Sequence, residues 1–484
     1  MPYIQGEGRE QLTLMPVCLD DYIDRDNICR VIAAYVGSLD LASLGFKRGQ
    51  RNDIGRPSYN PSSMLMLYLY GYLNRIRSSR RLEAETQRNL EVMWLMEKLM
   101  PDDKTISNFR KDNAAALKRV FREFSLWCNR NDLYGKELVA VDGSKIRANC
   151  SRDNIHTKKE VEKELATVEK KISEYMNELE VNDVLATEEE HLSQQVIRSL
   201  LQRFDEKKAT LEDYLEKITA SDCNEISTVD PDAHIMRQGG EGRMYDACYN
   251  VQSVVDAKHK LVVDFEVSTC AIDKGSLSIM TESAKEIMGV EKISVAGDKG
   301  YYDGGDIEKC EKSGTRCYVP KIEGYSPAPD SKFNYENFRY NRETDSYVCP
   351  NGETLLFKKY KKRPNGEYGR VYLNAEACKE CSNREQCTKQ KRGREIFRNP
   401  HQDALDTVDA RMLTNEAGEI LRERKKIVEH PFGTIKHIWG YRQFLCRGHE
   451  NTAAEQSLVF LAYNFRRVFN IFKENGMNLI DVMA

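Results

Sequence analysis

Between residues 158 and 219 the chain is densely charged, yet Val161, Leu165, Val168, Ile172, Tyr175 and Leu179 fall four and three residues apart. Ile197, Leu201, Phe204, Leu211, Leu215 and Ile218 make a second apolar stripe, and "EVNDVLATEEEH" breaks the pattern between the two. Two such helices bury their stripes most simply against each other, as an antiparallel hairpin. The hairpin constrains the fold because β-prone sequence flanks it. "ELVAVDGSKIRA" (137–148) lies before it, with Asp142-Gly143 expected at a strand end or tight turn. "YNVQSVVDAKHKLVVDFEVS" (249–268) lies after it and reads as two strands about a turn at Asp256 to Lys260. A core that resumes its strands after such an interruption is a mixed α/β core carrying insertions.

The remaining segments fit that frame. Residues 17 to 130 read as helical, with Pro61 in the first turn of "PSSMLMLYLYGYLNRI" and Thr105 or Ser107 expected to cap the helix after Pro101. "SLSIMTESAKEIMG" reads as a helix, Ile293 to Ala296 as a buried strand, and Gly304 as the start of the next helix. Asp298 then falls just past a strand's C-terminal end, where α/β folds commonly place functional side chains.

At 484 residues the chain exceeds the usual limit of one hydrophobic core, so two to four domains are expected. The start lacks a basic segment followed by an apolar run, and no stretch reaches 18 uninterrupted apolar residues. A cytoplasmic protein without membrane spans is the expectation. In that setting the 14 cysteines point to thiols or a metal site. Cys349, then Cys378 and Cys381 as C-x-x-C, then Cys387, can close a tetrahedral sulfur shell around a structural zinc ion; unligated thiols are the alternative. A closed shell of this kind holds a fold together and leaves no position open for catalysis.

A formal net charge of -3 hides local basic sequence. Lys358, Lys359, Lys361, Lys362 and Arg363 occupy one run with tyrosines interleaved, and phosphate contact is its natural use, a solvated basic surface being the alternative. Glycines 239, 240 and 242 lack the lysine and hydroxyl pattern of a nucleotide site, so no nucleotide cofactor is expected. Three acids stand out by setting: Asp142, Asp298, and Glu429 in the basic "KKIVEHPFGTIKHIWG" (425–440). Carboxylates from three separate elements can hold one or two hard divalent cations. On a helix, Lys425, Glu429 and Lys436 would lie near one face, with Pro431 able to bend it; His430 and His437 read as packing or phosphate contacts. Asn250 and Gln252, on one sheet face, would position DNA, support Asp142 or simply surface the sheet.

"NPSSMLMLYLYGYLNRI", "PDDKTISNFR", "VAVDGSKIRANCS", "YNVQSVVD", "VAGDKGYYDG" and "RKKIVEHPFGTIKHIWGYRQFLCRG", in that order, resemble the DDE transposases of bacterial insertion sequences. The resemblance covers nearly the whole chain. It implies an N-terminal helical DNA-binding domain (1–130), a ribonuclease-H-like catalytic core (131–157, 221–337 and the helical 399–484), the helical hairpin (158–220) and a cysteine-rich, zinc-binding basic insertion (338–398). It further implies that Asp142, Asp298 and Glu429 hold Mg²⁺ or Mn²⁺ and catalyse cleavage at element ends, followed by joining of 3′-hydroxyls to target DNA. A related branch ends in tyrosine, two residues, arginine, three residues, glutamate, six residues, lysine. Lys436 matches its last position, while Lys425 stands for the arginine and Arg422 for the tyrosine; all three are expected at DNA. The implied partners are double-stranded DNA with terminal inverted repeats, target DNA and further copies of the chain in the active complex, at the nucleoid. A metal-dependent nuclease without joining, or a catalytically silent DNA-binding regulator, would share much of this sequence.

Overall fold

A computed structural model describes residues 18–47, 58–182, 188–220, 224–238, 244–322 and 332–483, with no account of side chains at 178–182 and 188–195. Glycines 239, 240 and 242 and the side chain of Leu179 fall outside what is described.

The N-terminal region is helical: α1 (Ile28–Gly37), α2 (Pro61–Leu73), α3 (Ser79–Arg88), α4 (Leu90–Leu95), α5 (Asp103–Asp112) and α6 (Ala114–Arg130). Pro61 takes the first position of α2, where a missing N–H costs nothing, behind the Asn60 cap. The single helix expected beyond Pro101 is two. Asp102, rather than Thr105 or Ser107, caps α5, its carboxylate accepting from the Thr105 amide at 2.6 Å. Asn113 makes the break: its side chain donates to the Phe109 carbonyl and accepts from the Lys47 amide.

Next come β1 (Leu138–Arg147), β2 (Ile155–Thr157), the hairpin α7 (Lys158–Asn182) and α8 (Glu188–Ala220), and β3 (Glu225–Ser227), which pairs with β2 at the hairpin's base. Val161, Val168, Leu211 and Ile218 are buried between the two helices in a core of their own. The main sheet continues with β4 (His234–Arg237), β5 (Tyr245–Asp256), β6 (Val262–Ser268), β7 (Ile293–Ala296) and β8 (Thr315–Tyr318), with α9 (Ser276–Met288) and α10 (Gly304–Lys312) as crossovers. Its order is β4-β5-β1-β7-β8, and β6 lies beside β5 as well. β5 is antiparallel to β1, β4 and β6, whereas β1, β7 and β8 run parallel. The expected break at Asp142-Gly143 is absent. β5 pairs with β1 from Val139 opposite Asp256 to Arg147 opposite Cys248, and so carries the strand straight through Asp142.

The chain then builds an antiparallel sheet, β9 (Arg339–Asn341), β10 (Ser346–Val348), β11 (Thr354–Lys362), β12 (Tyr368–Leu373) and β13 (Ile396–Arg398), in the order β13-β12-β11-β10-β9. The short helices α11 (Ala375–Lys379) and α12 (Arg384–Cys387) interrupt it. Phe338, Tyr347, Leu355, Tyr372 and Ile396 form its small separate core. Finally α13 (Gln402–Met412), α14 (Asn415–Gly433), α15 (His449–Glu474) and α16 (Leu479–Met483) return to the main body.

The N-terminal helices and main sheet share one continuous core. The long α15 joins them: its Phe460 ring lies 5.2 Å from Phe265 of β6, and its Phe465 ring 5.8 Å from Tyr35 of α1. A helix that packs on both sides is buried nearly all round, as the run Thr452–Phe465 is, and its polar members find partners: Asn464 bonds both backbone groups of Val262, and Glu455 accepts from the Leu445 and Cys446 amides. Among the described residues no helix is long and apolar enough to cross a membrane.

Candidate active site

Two acids come together because two strands run in parallel. Ala140 of β1 stands opposite Ala296 of β7, so two residues further on Asp142, still within β1, and Asp298, just past the end of β7, come side by side. β7 ends at Ala296, and the Asp298 carboxylate caps the following turn, accepting from the Gly300 amide at 2.8 Å. Asp142 accepts from the Arg424 guanidinium of α14 at 2.9 Å. Burial pushes its carboxyl up to about 6; Arg424 opposes that shift, and the charges of Asp298 and Asp273 add to it.

Asp273 was not singled out in the sequence, where "STCAIDKG" carries no motif. It sits in the loop between β6 and α9, beyond a strand end, the same signal that marked Asp298. One carboxylate oxygen, Oδ1, accepts from Gln252 at 2.6 Å, Asn250 at 2.8 Å and Lys145 at 3.2 Å. Asn250 and Gln252 therefore hold Asp273 rather than DNA or Asp142, and both are buried. The Tyr301 hydroxyl donates to Gln252 and ties the group to the turn after Asp298. Gly143 leaves the space this needs. A Cβ there would stand 2.4 Å from Gln252 Nε2 and 2.6 Å from Asp273 Oδ1.

Glu429 is not brought to this pair. Burial on α14 falls on Ala417, Ile427, Val428 and Pro431, and places Glu429 on the opposite, exposed side with Arg422 and Lys425. Arg424, unremarked in the sequence, holds the place beside Asp142. The helix passes through Pro431 and ends in a π-helical turn, Thr434–Ile438. That wider turn lags the α-helical rotation, so Lys436 leaves the expected common face and points inward. Its ammonium donates to the Lys145 carbonyl at 2.7 Å, and burial pushes it down to about 8. His430 is packed as expected, its ring 2.6 Å from the Tyr463 hydroxyl.

Cys349, Cys378, Cys381 and Cys387 line one small cavity, of about 30 Å³, with Phe338, Leu355 and Arg394. The Asn351 backbone amide donates to Cys349 Sγ at 3.4 Å and its side chain to Cys381 Sγ at 3.7 Å. Burial raises the Cys387 thiol, Arg394 opposes this, and the other three thiols add to it. Of the basic run, Lys359 pairs with Glu395 at 3.1 Å and Arg363 with Glu367 at 2.8 Å. Lys358, Lys361 and Lys362 are exposed on β11 and form no ion pair among the described residues. Taken as they stand, no three acid, histidine or cysteine side chains among the described residues form a ready metal-binding group.

Two family models match the chain: "Transposase domain (DUF772)" over residues 17–112 and "Transposase DDE domain" over residues 348–469. The second includes Glu429 and the four cysteines, while Asp142 and Asp298 lie outside both. This is a DDE/transposase-superfamily domain architecture, and the chain has a general transposase identity. The solved piggyBac transposase synaptic complex with hairpin DNA is similar at 9% identity, over 94% of this chain and 78% of that one. Its TM-score of 0.33 is too low to carry an argument about the fold. No curated protein matches the chain.

Proposed function

We propose that this chain is a DDE transposase of an insertion sequence, which cleaves DNA at the element's ends and joins the freed 3′-hydroxyls to target DNA. The observation that carries the reading is the pair Asp142 and Asp298 on adjacent parallel strands. The sheet supports it: β6-β5-β1-β7-β8, with β5 alone antiparallel to its neighbours, is the strand arrangement expected of a ribonuclease-H-like core, and the acids sit where that core would carry them.

The residues fit a divalent cation. Carboxylates crowd together there, and Asn250 Oδ1 is buried beside them without a hydrogen-bond partner among the described residues. Asp142 and Asp298 would hold Mg²⁺ or Mn²⁺, with Glu429 as the third acid of the resemblance, brought in from the exposed side of α14. Bound there, such ions supply an activated nucleophile and stabilise charge on the scissile phosphate. The chain's own part is to fix the carboxylates by packed strands, and to offer Arg424 and Lys436 as cations close to the reacting phosphate. The four thiols that line the small cavity would draw together to hold zinc, and the two N–H donors of Asn351 would suit thiolate sulfur there. Lys358, Lys361 and Lys362, with Arg422 and Lys425 on the exposed side of α14, would meet DNA phosphates. Work on two ends calls for an oligomer in the active complex, in the cytoplasm at the nucleoid.

The test uses the protein, Mg²⁺ or Mn²⁺, and DNA bearing the element's ends. Cleavage to 3′-hydroxyls with joined product is expected. Cleavage without joining would favour a nuclease, and end binding without either reaction a silent regulator.

A further inference from the structure

Asp273 is built as an oriented ligand would be. Its Oδ1 carries three donors, Lys145, Asn250 and Gln252, which fix the plane of the carboxylate. Oδ2 accepts no hydrogen bond among the described residues. It borders the same space as Asp298: a Cβ built on Gly300 would stand 3.3 Å from Asp273 Oδ2 and 2.9 Å from Asp298 Oδ1. Charge points the same way. Arg424 pairs with Asp142 and Lys145 with Asp273, whereas Asp298 makes no ion pair among the described residues. Of the three carboxylates Asp298 thus stands without a paired cation, the Lys436 ammonium being held at the Lys145 carbonyl on the Asp142 side. A second, independent sign is Asn250, fully buried, whose Oδ1 has no donor among the described residues and stands 3.1 Å from a Cβ built on Gly143, in the same crowd as Asp273 Oδ1. A buried acceptor left bare costs roughly 1–3 kcal/mol. What it lacks is a donor from outside the chain, such as a hydrated cation brings.

Resting on the metal-dependent reading above, we propose that Asp273 is a further carboxylate ligand of the divalent cation at Asp142 and Asp298, aimed by Lys145, Asn250 and Gln252. Arg424 holds Asp142 and would have to release it to the cation. One oxygen of Asp273 tied to donors and the other left open is how outer partners commonly orient a metal-binding carboxylate.

The experiment titrates Mn²⁺ into the full-length chain without DNA and reads free Mn²⁺ by electron paramagnetic resonance. Wild type, Asp273→Asn, Asp142→Asn and Asp298→Asn are compared, each with its melting temperature in EDTA. The expected result is a Mn²⁺ affinity about tenfold or more weaker in D273N, as in D142N and D298N, with unchanged melting in EDTA. Wild-type affinity in D273N, with loss in D142N and D298N, would overturn the assignment of Asp273 and leave the metal site standing. If binding in the wild type were absent or indifferent to Asp142 and Asp298, the metal reading itself would fall and Asp273 with it. Should D273N fail to fold, Asp273→Glu keeps the charge and moves the oxygens: weakened binding supports the assignment, unchanged binding overturns it.

Discussion

The acids within β1 and just past β7 and the lysines of the β11–β12 ribbon are charges in opposite settings. Around Asp142, Asp298 and Asp273 every carboxylate has a named donor, from Arg424, the Gly300 amide, or Lys145 with two buried amides. On the ribbon, β11 is exposed along nearly its whole length, and Lys358, Lys361 and Lys362 point into solvent without partners among the described residues. Fixed groups suit chemistry, where a displacement of about 1 Å can cost a hundredfold in rate. Mobile lysines suit a phosphate backbone, which asks for charge and tolerates small shifts. The two regions should therefore fail differently when mutated.

The largest effect is expected at the acids. Asp142→Asn or Asp298→Asn should lower cleavage and joining at least about a thousandfold, roughly 4 kcal/mol of transition-state stabilisation, while end binding changes little. A variant that bound poorly and reacted in proportion would show that these acids serve the fold. The cysteine cavity comes next. Among the described residues the separate core of β9–β13 is a cluster of five buried side chains, small for a sheet held without a staple. Cys378→Ser with Cys381→Ser should abolish the proposed zinc binding and loosen residues 338–398, seen as faster amide exchange there and unchanged exchange in the main sheet. Equal exchange in wild type and variant would mean the thiols stand unligated.

The contrast between the regions also explains what the sequence revealed. Ile293 to Ala296 and the start of α10 were legible because local signals agreed with the tertiary outcome: a short apolar run, then glycines and an aspartate cap. The α7–α8 hairpin was legible for the same reason, since its stripes pack on each other and need no distant partner. Asp142-Gly143 misled because a turn-forming pair was overruled by β5, more than a hundred residues away, whose pairing no local pattern announces. Asp273 was hidden for a related reason. Its importance comes from Asn250, Gln252 and Lys145, which only sheet register brings together. For Glu429, helical spacing gave the right relation to Lys425, but a π-helical turn altered the relation to Lys436.

A smaller effect is expected on the ribbon. Lys358, Lys361 and Lys362 to alanine together should reduce the slope of log affinity against log salt by about 2.7, near 0.9 for each lost phosphate contact. Lys359→Ala with Arg363→Ala should change it less, because Glu395 and Glu367 already engage those side chains. If the second pair proved the more damaging, exposure would be a poor guide to which cations meet DNA.

The smallest effect tests the hinge between the two regions. His401 lies between them, Nδ1 2.7 Å from Glu308 on α10 and Nε2 2.9 Å from Glu367 at the ribbon's turn. Burial disfavours the charged ring, but Glu367 and Glu308 outweigh it and hold His401 above its ordinary value of 6.5. A histidine raised on folding adds stability that is complete below its unfolded value and is lost as pH rises through the folded one. The two glutamates are lowered, Glu308 by Lys312 and then His401, Glu367 by His401 and then Asn365, so their share is lost at the acid end, as pH falls through their folded values. The clamp should thus be strongest between about pH 4.5 and 6.5. His401→Gln should lower stability there by no more than about 1 kcal/mol, a melting shift of about a degree for a chain this long, because the glutamates are partly exposed and screened. By pH 9 the difference from wild type should have largely vanished. A difference that stayed constant from pH 6 to pH 9 would mean that His401 joins the regions by packing, with no charge involved.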